Sequence, residues 1–145
     1  MKNNKHTRGF SLIEVLISIF LVAVAVLGLA ELFLAAVANN LKADRVANAT
    51  FLAQQEIDWL RGLTRDELDV YRTSSAGVRD EILDLNGDGT NDFRRITVTS
   101  EANDLFNVTV HVYSAENIGS LTPTELLNDP EHHRPRALIS TLIGR

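Results

Sequence analysis

Two groups of residues in this sequence have the types and spacing to do chemistry. The first is a run of oxygen-bearing side chains, Asp84-x-Asn86-x-Asp88-Gly89-Thr90-x-Asp92. Its oxygens fall at positions 1, 3, 5, 7 and 9 of a calcium-loop pattern with glycine at 6, and such loops offer a hard cation the oxygen ligands it requires. The pattern departs from an EF-hand at its twelfth position, where Arg95 stands in place of the closing glutamate; Glu81, Glu101 or water are the substitutes. The same residues equally suit a polar hairpin loop, in which Asn, Asp and Gly serve turn geometry alone. Ca2+ is thus an optional ligand at Asp84, Asn86, Asp88, Thr90 and Asp92, weakly held, and no cofactor is required. The second group centres on Glu14, a carboxylate inside an apolar run, where a charge costs about 2.5–3.5 kcal/mol and calls for a partner.

Other candidates carry less. His132 and His133 adjoin Asp129 and Glu131, but adjacent side chains in a proline-flanked loop diverge and make a poor metal site. Asn48-Ala-Thr50 and Asn107-Val-Thr109 match a glycosylation pattern short enough to arise by chance. The absence of cysteine excludes a thiolate metal site, a Cys nucleophile and a disulfide. Phosphate-loop, Rossmann and nucleophile-elbow signatures are missing, so the chain reads as no enzyme. A pI near 5.3 and a net charge of −5 argue against a bulk nucleic-acid binder.

The element that positions Glu14 is long. Phe10–Ala38 spans 29 residues whose only charges are Glu14 and Glu31. As a helix it exceeds the ~30 Å hydrocarbon core of a bilayer. Lys2, Lys5 and Arg8 precede it without an acid, which predicts a cytoplasmic N-terminus and a translocated remainder. Ala36-Val37-Ala38 offers a signal-peptidase site, but a secretory apolar region runs only about 7–15 residues. A plain single-pass anchor accounts for length and orientation and leaves Glu14 without a reason.

Arg8-Gly9-Phe10-Ser11-Leu12-Ile13-Glu14-Val15-Leu16 resembles the prepilin processing signal of type IV pilins and type II secretion pseudopilins. The resemblance implies cleavage between Gly9 and Phe10 by prepilin peptidase, leaving 136 residues, and N-methylation of Phe10. It also implies that Glu14 is an assembly contact. A new α-amino group, with a reference pKa near 7.7–8.0, stays mostly protonated. Inside a bundle, that amine and a neighbour's carboxylate neutralise each other. The implied partners are the prepilin peptidase/methyltransferase, other pilin or pseudopilin subunits, the inner-membrane assembly platform and, before assembly, inner-membrane lipid. The expected locations are the bacterial inner membrane, with the head extracytoplasmic, and then a pilus or periplasmic filament. Within the family, Val24–Ala30 and the short polar head are most like a PilV-type minor pilin; a type II secretion pseudopilin is the nearest alternative. A membrane-anchored, calcium-binding extracytoplasmic module that never polymerises is the reading from another class.

The implied fold is α+β and pilin-like: one long N-terminal helix packed on a small antiparallel sheet. Residues 1–9 form the leader, 10–38 the membrane or filament-core half of the helix, 39–62 its amphipathic half and 63–145 the head. Val46, Ala49, Ala53, Ile57 and Leu60 make a helical stripe, with Glu56 among the polar residues read off it, and Gly62 is a stop. Trp59 reads as core or interface packing. Thr64-x-x-Glu67 and Thr122-Pro-x-Glu125 fit capping boxes, opening short helices over about 65–70 and to about Asn128. Strands are expected at Ile82–Leu85, Phe93–Ser100 and around Val108–Val112, with His111 on a polar strand face. Ala137–Ile143 suits a final strand or a docking tail. Removing the leader leaves 11 basic against 19 acidic side chains, so the mature chain lies near −8. A mean hydropathy near zero is therefore the average of an apolar segment and an acidic head.

Overall fold

The structure is a computed structural model that describes residues 11–115, 119–129 and 132–144. Helix α1 runs from Leu12 to Gly62, and the chain divides into two compact units at Leu41/Lys42.

The described part of the first unit is helix alone. It contains no proline, and Leu, Ala, Val, Ile and Phe supply enough propensity for a continuous helix once its surroundings are apolar. Its side chains are exposed throughout, Leu12, Phe20, Leu27 and Phe33 each by more than half of their surface. It is long and apolar enough to cross a membrane.

The second unit holds the rest of α1, then α2 (Arg65–Ser74), β1 (Val78–Leu83), β2 (Phe93–Ala102), β3 (Leu105–Ser114), α3 (Pro123–Asn128) and β4 (Ala137–Gly144). The strands form an antiparallel meander in the order β1-β2-β3-β4. Leu83 lies opposite Phe93, Thr97 opposite Val110, and Val112 opposite Ala137. On one sheet face Phe106, Val108, Val110 and Val112 meet Ala49, Leu52, Ala53, Ile57 and Leu60 of α1 and Leu68 of α2. On the other, Ile96 and Tyr113 enclose Leu126 of α3. Both expected capping boxes are present, with Thr64 and Glu67 opening α2 and Thr122 and Glu125 opening α3.

Several expectations are corrected. The buried stripe begins at Ala49, because Val46 is largely exposed. Helix α2 is a turn longer than its cap alone suggested, since Tyr71, three residues after Leu68, is also buried. Strand β1 starts at Val78 and ends at Leu83, so Leu85 belongs to the loop. Its charges, Asp80 and Glu81, are cross-strand partners of Arg94 and Arg95, which makes a strand out of a segment too polar to read as one. Gly77 leads into that strand at φ +81°, and a Cβ there would lie 2.9 Å from the Thr99 carbonyl oxygen, so only glycine suits this close approach. Trp59 is 49% exposed, outside the core.

Candidate functional site

The expected processing segment continues into the start of α1. The backbone N–H groups of Glu14 and Val15 donate to the Ser11 carbonyl at 2.9 and 3.3 Å, which closes the first turn. Glu14 stands in that turn, where the helix macrodipole favours a carboxylate. Ser18 Oγ donates to the Glu14 carbonyl at 2.7 Å, and Glu14 itself is exposed. Gly9 and Phe10, the expected cleavage and methylation residues, lie outside the described residues.

The Asp84–Asp92 loop is held together by its own acceptors. Asp84 accepts from the backbone N–H groups of Asn86, Gly87 and Gly89, at 3.2, 2.7 and 2.9 Å. Asp88 accepts from the Thr90 N–H at 2.7 Å and from the Thr90 hydroxyl, and these bonds hold its carboxyl below the usual range. Asp92 accepts from Leu85 N–H at 2.9 Å, and Asn86 donates to Asp88 at 2.9 Å. The loop thus brings the five candidate ligands into one hydrogen-bonded turn, and an entering ion would share their oxygens with those donors. Of the substitutes for the missing twelfth ligand, Glu81 pairs with Arg95 and Arg79, and Glu101 with Arg65 and Arg72, which leaves water. Among the described residues no group of three or more His, Asp or Glu side chains is placed to hold a metal ion. His132 is bound to Asp129 at 3.2 Å on the surface.

The most organised polar cluster of the head lies elsewhere. Glu56 is only 5% exposed. Its carboxylate accepts from the Tyr71 hydroxyl at 2.9 Å and pairs with Arg95 at 2.9 Å. Arg95 also reaches Glu81 and donates to the Leu52 carbonyl at 3.3 Å. Arg79 pairs with Glu81 at 2.7 Å and stacks on the Tyr71 ring at 5.2 Å. Burial, reinforced by the Glu56 charge, pushes the Tyr71 hydroxyl well above the usual tyrosine range. The cluster joins α1, α2, β1 and β2. It sits over Thr97 and borders an open pocket of about 300 Å3 lined by Gln55, Glu56, Trp59, Arg79, Glu81 and Arg95, with its charges spent on one another as a polar clasp. Its charges balance, and every carboxylate and guanidinium in it has a partner, the condition under which buried ions are tolerated. The sequence held a signal for it: Glu56 stands seven residues after Ala49 and four after Leu52, on the buried face of the helix.

Residues 4–30 match the family described as the prokaryotic N-terminal methylation motif. No curated relative and no solved structure matches the chain. The matched residues run into a long helix, which packs through its C-terminal part on a four-stranded antiparallel sheet. The chain thus joins a prokaryotic N-terminal methylation motif to a pilin-like α+β architecture, a pairing that supports kinship with type IV pilins and pseudopilins.

Proposed function

We infer that the protein is a structural subunit of a type IV pilus or pilus-like filament, of the minor-pilin kind. It works by assembly and catalyses nothing. Prepilin peptidase cuts after Gly9, the new amine of Phe10 is methylated, and the precursor waits in the inner membrane with its head on the extracytoplasmic side. The observation that supports this is the union of a methylation motif over residues 4–30 with a helix that exposes apolar side chains all round. In water such a surface would cost about 25 cal/mol for every Å2 left uncovered; lipid covers it first and neighbouring helices afterwards. Glu14 then neutralises the Phe10 amine of an adjacent subunit and fixes the register between them.

The test is the mass of the mature N-terminus. In peptidase-competent cells the expected species is the 136-residue chain beginning with methylated Phe10, and in peptidase-null cells the full precursor. An unmodified Met1 N-terminus in competent cells overturns the reading in favour of a plain anchor.

A further inference from the structure

Between the end of α1 and α2 lies an open apolar groove of about 400 Å3, lined by Trp59, Leu63, Val70 and Tyr71. Val70 is 64% exposed, and the Trp59 ring meets Tyr71 edge-on with centroids 5.7 Å apart, so the indole is held at the groove wall. The walls are almost wholly apolar, and Asp66 and Glu67 border them at the rim. Glu67 is held below the usual glutamate range by the backbone and side-chain hydrogen bonds of Thr64. The rim therefore carries negative charge at neutral pH beside an aromatic face. Such a surface has the chemistry to take a guanidinium, which stacks on indole while its donors face carboxylates.

The head presents that group on its other side. Arg134-Pro135-Arg136 lies between α3 and β4, and α3 packs on the sheet face opposite α1 and α2. Both arginines are exposed, and among the described residues neither side chain makes an ion pair. The Arg136 N–H donates to the Val112 carbonyl at 2.7 Å, whereas Arg65, next to the groove, stacks on Phe106 at 5.7 Å. Six residues of β3 separate those points, roughly 20 Å along a strand. One copy cannot join the two patches.

We propose that the Trp59 groove of one head receives the Arg134–Arg136 loop of a second copy. The contact is between two different patches, so it is head-to-tail and repeats from subunit to subunit. It rests on the filament reading, to which it adds a specific contact outside the apolar helix. The charges choose the partner patch and the register, and the groove excludes water around the stacked cation.

The cysteine-free chain permits a direct test. Full-length Val70→Cys and His132→Cys chains, co-expressed in their native membranes, are treated with a short bismaleimide. The expected product is a link between the two variants, and a ladder of multiples when both cysteines are in one chain. Asp66→Arg or Arg134→Glu lowers the yield about tenfold, and combining them restores it. Links only between two Val70→Cys chains, or a yield indifferent to both reversals, overturn the proposal. The N-terminal mass is read from the same membranes. A processed Phe10 terminus without the link removes this contact and leaves the filament reading standing; a link with an intact Met1 terminus supports the contact and removes the filament.

Discussion

Glu14 and Glu56 lie on the same helix and are treated in opposite ways. Glu56 is buried in the head, where Tyr71 and Arg95 hold both of its carboxylate oxygens. Glu14 stands on an exposed apolar surface, and among the described residues no side chain is paired with its carboxylate. A charged group in apolar surroundings needs a counter-charge. At Glu56 the chain supplies its own; at Glu14 the proposed function takes it from the Phe10 amine of another subunit. On that proposal one carboxylate serves folding and the other assembly, and substitutions should separate the two.

The largest effect is expected at Glu14. Glu14→Ala leaves a neighbour's amine unpaired, and about 2.5–3.5 kcal/mol corresponds to roughly a hundredfold loss of incorporation into sheared filaments. The melt of the head should not move. Normal incorporation of the variant would falsify the register role. Next comes Glu56→Ala, which removes the Tyr71 acceptor and one of the two carboxylates on Arg95. Because Arg95 keeps Glu81, the expected loss lies near the lower end for broken buried pairs, about 3 kcal/mol. Urea unfolding of the full chain in detergent, followed by Trp59 fluorescence, measures it; a loss below about 1 kcal/mol would mean that the clasp contributes little.

A smaller effect comes from His111, which stacks on Tyr113 at 6.2 Å. Burial lowers its pKa below the usual histidine range. The unfolded chain therefore takes up the proton first, so this contribution is complete above about pH 6.5 and declines as the pH falls below it. The head's melting midpoint should drop between about pH 6.5 and 5, and His111→Gln should flatten that slope. The smallest effect is expected from calcium. The loop's acceptors already hold its backbone N–H groups, so one midpoint is expected in calcium and in chelator. A rise with calcium that disappears in Asp88→Ala would establish ion binding by the loop.

Much of the fold was legible because its signals are local. Thr64 and Thr122 each precede a glutamate by three residues, and both caps form in the structure. The Val108–Val112 alternation marked a strand that buries its valines. What escaped depended on partners distant in sequence. Asp80 and Glu81 made β1 look like a polar segment until β2 brought Arg94 and Arg95 alongside. Glu56 looked like surface because its type outweighed its position on the stripe. Of the candidate site, the Glu14 environment could be read from composition alone. The commitment of Glu81 and Glu101 to arginines required the tertiary fold.

The clasp around Arg95 also bears on where this head can fold. It ties Leu52 and Glu56 on α1 to Arg95 on β2 across some forty residues, a span over which small extracytoplasmic domains often use a disulfide. An ionic tie forms without an oxidant and survives a reducing environment. The head can therefore close on either side of a membrane, and, if pulled apart, can re-form unaided.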